Sequence, residues 1–145
     1  MKILLAAPSF KTLQPLVSAV VCAHSEPVIA RNGVDVIDLI RAGCIDVAAL
    51  SSDLVDPFCF DVIDIVRRKP PAQEEHGPRT TPLLFLSEDG DEHDMAAALE
   101  FGANACVDMR SFDAQAFIAQ LEALRRPRTD QDDDSPLTFF PAGSV

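Results

Sequence analysis

Short apolar runs alternate along the chain with stretches in which apolar residues return every three or four positions. Lys2–Ala7 (KILLAA), Ile45–Leu50 (IDVAAL) and Pro82–Ser87 (PLLFLS) are short and nearly continuous in apolar character. Strands buried on both faces read this way. Pro27–Ala30 (PVIA) is a further strand, placed near a sheet edge by its proline. Asn104–Met109 (NACVDM) is a fifth and weaker one.

Helical spacing fills the intervals. Over Thr12–His24, Leu13, Leu16, Val17, Val20 and Val21 share a face. Thr12 is the expected cap, and Pro15 fits only in a first turn. The turn signal Asn32-Gly33 precedes a helix that Gly43 stops. Asp56–Lys69 brings Phe60, Ile63 and Val66/Arg67 onto one stripe before Pro70-Pro71 ends it. Asp91–Gly102 is rich in alanine and stops at Gly102. Ser111–Arg126 carries Phe117, Leu121 and Leu124 on one side, with Ser111 or Asp113 as cap. Arg125 and Arg126 suit its C-terminal end.

Five strands alternating with five helices predict an α/β protein: a doubly wound, parallel, five-stranded sheet in three layers. Right-handed crossovers bring every strand C-terminus to one edge, where ligand chemistry gathers in such folds. Ala7-Pro8-Ser9, Ser51-Ser52-Asp53, Ser87-Glu88-Asp89 and Asp108-Met109-Arg110 meet there.

The 145 residues fit one domain, residues 1–126. Residues 127–145 change composition to an acidic tail, expected to be disordered, with Phe139-Phe140 offering a short docking peptide as the sharper alternative. The polar, proline-rich connection Pro70–Thr81 is expected to be mobile.

Charge narrows the partners. Twelve basic against 23 acidic residues leave a net charge of −11. Such a surface repels nucleic acid and anionic membranes, so neither is an expected partner. Pro8 and Lys11 interrupt the N-terminal apolar run too early for a secretory leader, and a cytoplasmic location is expected. Cys22, Cys44, Cys59 and Cys106 form no C-x-x-C pair, which argues for buried reduced thiols rather than zinc. His24, His76 and His93 are scattered. Without a Gly-rich phosphate loop or a nucleophile elbow, neither cofactor nor metal is expected.

Four segments in order resemble the receiver domain of response regulators: Ala30–Ile40 (ARNGVDVIDLI), Ile45–Ser52 (IDVAALSS), Thr81–Ser87 (TPLLFLS) and Ala98–Val107 (ALEFGANACV). The likeness spans about Lys2 to Arg126. It implies a flavodoxin-like (βα)5 fold. It also implies a site with two acids after the first strand, a phosphoacceptor Asp ending the third, a Ser or Thr ending the fourth and a Lys ending the fifth. Magnesium and lysine together neutralise the phosphoryl oxygens in such chemistry.

Laid on that pattern, the acid positions fall on Ala7 and Pro8, the acceptor on Ser51 and the hydroxyl on Ser87. The Lys position falls on Met109, followed by Arg110, and the aromatic switch position on Cys106. The resemblance therefore implies a degenerate pseudo-receiver, not an enzyme. It would work as a single-domain module of a two-component or phosphorelay system, through phosphorylation-independent contacts with a histidine kinase, a phosphotransfer protein or a downstream effector. The expected contact face is the fourth helix, fifth strand and fifth helix (Asp91–Phe101, Asn104–Asp108, Phe112–Arg125), with a homodimer through it as a further option.

Rival readings rest on nearby groups. Asp53, or Ser51 itself, is the alternative phosphoacceptor of a working relay receiver. Asp53 with Glu88 is a displaced cation pair, although Asp91 and its neighbours read better as helix caps and first-turn acids. A small flavodoxin-like enzyme or ligand binder is a third reading that no motif supports. Ser51 and Ser52 are expected to satisfy backbone groups at a strand end, with no base beside them.

Overall fold

A computed structural model of the protein describes residues 1–68 and 81–125. The expected tail, its Phe139-Phe140 peptide and residues 70–80 of the connection lie outside the described residues. Strands β1 (Lys2–Ala6), β2 (Glu26–Ala30), β3 (Val47–Ser51), β4 (Leu83–Ser87) and β5 (Ala105–Asp108) alternate with helices α1 (Phe10–Cys22), α2 (Gly33–Arg41), α3 (Cys59–Arg68), α4 (Glu92–Phe101) and α5 (Ala114–Leu124). The five strands form one sheet in the order β2-β1-β3-β4-β5, and every neighbouring pair is parallel. This is the flavodoxin-like order, with its switch between β1 and β3.

Alternation along the strands divides the core into two halves. Leu4, Ala6, Ala48, Leu50, Leu83 and Phe85 pack on one face against α2, α3 and α4 through Val36, Ile40, Val62, Ile63, Val66 and Ala98. Ile3, Leu5, Val47, Ala49, Leu84 and Leu86 pack on the other against α1 and α5 through Leu13, Leu16, Val20, Phe117 and Leu121. The central strands are apolar throughout because both of their faces are covered. No helix among the described residues is long and apolar enough to cross a membrane.

Helix boundaries differ from expectation at both ends of α1 and at the start of α3, and of the two caps expected for α5 the structure uses Asp113. Helix α1 starts at Phe10 with Ser9, not Thr12, at its N-cap, so Pro15 lies inside the helix. The missing Pro15 N–H leaves the Lys11 carbonyl without its helical donor; Lys11 is exposed, so water can serve it. The same helix ends at Cys22, and His24 follows in a left-handed conformation with φ 61°. Helix α3 starts at Cys59 rather than Asp56, because Asp56, with φ 59°, lies outside the right-handed helical region; its bond to Pro57 is cis. At the last helix, Met109–Ser111 form a separate 3₁₀ turn, and Asp113 caps α5 by accepting from the Ala116 N–H at 2.8 Å.

Two fasteners hold the helices in place, one through the backbone and one through a side chain. Gly33 donates its N–H to the Val55 carbonyl at 2.8 Å, and Val34 donates to Asp56 at 2.9 Å. A Cβ on Gly33 would lie 2.5 Å from the Pro57 oxygen, so only glycine allows α2 to approach the β3–α3 loop this closely. At the opposite end of the sheet, Arg67 donates to the carbonyls of Gly102 and Thr81, each at 2.9 Å, and to the Asn104 side-chain oxygen at 2.8 Å. That oxygen also accepts from the Leu83 N–H at 2.8 Å.

Candidate functional site

The carboxyl edge of the sheet brings together the loops after β1, β3, β4 and β5. Ala7 is fully buried, packed with the α1/α5 half of the core, and Pro8 turns its carbonyl to the Arg31 guanidinium at 2.6 Å. Neither position offers a carboxylate. Met109 is half-buried and packs against the same half of the core, so no cation comes from that position. Cys106 lies on the other side of the sheet, where its Sγ donates to the Met95 carbonyl at 3.4 Å. Burial pushes the Cys106 thiol above its usual range.

Ser51 and Ser87 are both fully buried. They belong to different faces of the sheet, and each bonds elsewhere. The Ser51 hydroxyl donates to a Glu88 carboxylate oxygen at 2.8 Å and accepts the Asp53 N–H at 3.0 Å. The register explains the first contact. Ser51 pairs with Leu86, and Glu88, two residues further on, leaves the chain on the same side. One residue on, the Ser52 hydroxyl accepts the Glu88 N–H at 3.0 Å, while the Ser52 N–H donates to Leu86 at 2.8 Å. Both serines thus satisfy backbone donors at the strand end, as expected from sequence. Among the described residues, the Ser87 hydroxyl donates to Asp89 at 3.4 Å.

Asp91 caps α4 as expected, accepting from the N–H groups of His93 and Asp94, and Glu88 corrects one expectation. It places a carboxylate beside Ser51, where no basic group was expected. Asp53 is exposed, with its N–H turned to Ser51. Among the described residues, the group of three acids close enough to share a cation is Asp89, Asp91 and Asp94, and it includes neither Asp53 nor Glu88. Asp89 and Asp91 are already accepting backbone N–H groups there.

At the end of β5, Arg110 pairs with Asp108 at 2.8 Å. The hydrogen bond to Arg110 holds the Asp108 carboxyl below its usual range. The same guanidinium lies over Gly90, which has φ 69° and where any side chain would collide with it. A cation therefore reaches the edge one residue after the expected position, engaged with Asp108.

The expectation of four buried thiols holds for Cys59 alone. Burial pushes that thiol up to about 12. Cys22 and Cys44 are exposed, the first at the end of α1 and the second in the turn after Gly43. Sequence spacing alone does not distinguish the outer side of a helix end from its inner side.

No protein-family profile matches the chain, and no curated protein does. Solved structures do. A chain assigned as a response regulator from Chloroflexus aurantiacus superposes with a TM-score of 0.74 at 20% identity, covering 85% of this chain and 95% of that one. The receiver domain of Francisella response regulator 1452 gives 0.73 at 18% identity, covering 85% and 94%. The receiver domain of a sensor histidine kinase from Pseudomonas aeruginosa, with magnesium coordinated in its active-site cleft, gives 0.73 at 15% identity, covering 85% and 95%. The chain has the receiver-domain fold.

Proposed function

We propose that the protein is a receiver-fold module of two-component signalling that acts by binding other proteins, without phosphoryl transfer and without enzymatic activity. The observation that carries this reading is the set of groups at the sheet edge: Ala7, Pro8, Ser51 and Met109 stand where a receiver needs two acids, an acceptor carboxylate and a lysine. Magnesium prefers oxygen ligands with near-octahedral geometry, and a transferred phosphoryl group needs that cation and a lysine to neutralise it. The Pseudomonas receiver domain holds magnesium in its cleft; the sequence resemblance puts Ala7 and Pro8 at the acid positions of this chain, and neither side chain can bind the cation. Ser51, the residue at the acceptor position, is buried and already engaged with Glu88.

The face that reads best as the contact with a partner is α4, β5 and α5. Leu99 and Phe101 are exposed on α4. The same helix carries Glu92, Asp94 and Glu100 and no Lys or Arg. Apolar side chains ringed by carboxylates suit a basic partner surface, and such binding weakens with added salt.

The test is incubation with acetyl phosphate, or with beryllofluoride, in the presence of Mg²⁺, followed by NMR and intact-mass measurement. Spectra and mass should not change. A saturable, Mg²⁺-dependent shift, or a phosphate mapped to Asp53 or Ser51, would overturn the proposal in favour of a working relay receiver.

A further inference from the structure

At the carboxyl edge, the first turn of α2 and the loop before α3 are braced into one platform. The Val34 N–H donates to the Asp56 carbonyl at 2.9 Å and the Gly33 N–H to Val55 at 2.8 Å. This platform carries three exposed apolar side chains: Phe58, 64% exposed, Val34, 53% exposed, and Val55. Apolar side chains exposed singly are ordinary surface, but a group of them on one braced platform marks a contact site. The bracing also means that little ordering is needed on binding. Charge around the platform has one sign. Asp35, Asp53, Asp56 and Asp61 are all exposed. Residues 32–40 and 42–66 contain no Lys or Arg. Arg31, just before them, turns its guanidinium to the Pro8 carbonyl. Among the described residues, ion pairs join Arg68 to Asp64 and Arg110 to Asp108, and none reaches the four platform carboxylates.

We infer that this platform docks a basic segment of another protein, with an apolar side chain set against Phe58 and Lys or Arg on either side of it. Charge selects that occupant. A second copy of this chain, at −11, would bring the same carboxylates against themselves. A neutral apolar surface would strip water from four carboxylates and return no bond for it. Lys and Arg supply the counter-charge, and complementary potentials speed the encounter and reject wrong partners. The platform is distinct from the α4 contact: Leu99 and Phe101 lie near the C-terminal end of α4, towards the opposite edge of the sheet. It stands whether or not the proposed function does.

The test is an amide NMR titration of the full chain with three hexapeptides: Arg-Lys-Leu-Phe-Lys-Arg, Ser-Gln-Leu-Phe-Gln-Ser and Glu-Asp-Leu-Phe-Glu-Asp. The basic peptide should give saturable shifts at Val34, Val55, Asp56 and Phe58, and its binding should weaken as salt rises. The neutral peptide should bind at least about tenfold more weakly, and the acidic one not at all. Phe58→Ser should raise the dissociation constant of the basic peptide about tenfold, and Asp53→Asn combined with Asp61→Asn about fivefold. Leu99→Ser on α4 should leave it unchanged. Circular dichroism checks folding, and the aspartate variant stands in if Phe58→Ser fails to fold. The absence of a saturable shift at the platform overturns the inference, and so does equal binding of the neutral peptide there. Shifts confined to Leu99 and Phe101 overturn it as well, while leaving the α4 contact of the proposed function standing.

Discussion

Arg67 and Gly102 are matched to each other: the Arg67 Nε donates to the Gly102 carbonyl at 2.9 Å, and a Cβ on Gly102 would lie 2.5 Å from the Arg67 Cγ. Gly102 ends α4 with φ 128°, a conformation that glycine alone adopts without strain. Gly102→Ala should therefore lower stability by about 2–3 kcal/mol in urea unfolding. Arg67→Met, which keeps the stem but loses bonds to Thr81, Gly102 and Asn104, should cost a similar amount, about 2–3 kcal/mol.

Ser51→Ala should destabilise the fold by about 1–3 kcal/mol, because it strips the Asp53 N–H and the Glu88 carboxylate of a partner at a buried position. Glu88→Gln keeps an acceptor oxygen for the Ser51 hydroxyl and should cost less than half of that. Equal losses in the two variants, measured by chemical denaturation, would show that the charge rather than the hydrogen bond matters.

Gly33→Ala should cost about 1–3 kcal/mol, since the new methyl group meets the Pro57 backbone and pushes α2 away from the β3–α3 loop. Amide exchange should accelerate at Gly33 and Val34 first, the two donors that cross this gap.

Thiol labelling separates the cysteines. Cys22 and Cys44 should react rapidly in the native protein, Cys106 slowly, and Cys59 only on unfolding. The Cys59 thiol titrates higher in the folded than in the unfolded chain. Its contribution is therefore intact at neutral pH and is lost as pH rises from the ordinary thiol range towards about 12. Cys59→Val should flatten that alkaline loss of stability, measured as denaturation midpoint against pH.

The sheet was legible because its signal is local. Each central strand is an uninterrupted apolar run, and the parallel order follows from short runs separated by helices. Helix starts were less so: Ser9 and Thr12 are both good caps, and the choice between them depends on how α1 packs through Leu13 and Leu16. That Ala7, Pro8, Ser51 and Met109 gather at the carboxyl edge follows from where the apolar runs end. The partnership of Ser51 with Glu88 could not be read there, because it joins residues 37 apart and depends on strand register. Arg67 left a trace in the sequence. It falls on the apolar stripe of α3 with Phe60, Ile63 and Val66, and a cation there must find polar partners.

Glu88 sets a carboxylate of the chain itself against Ser51 at the carboxyl edge. On the proposed reading, nothing added or removed by a kinase sets the state of this molecule. Its message would lie in abundance: how many copies the cell makes, how fast it degrades them, and which proteins compete for their faces.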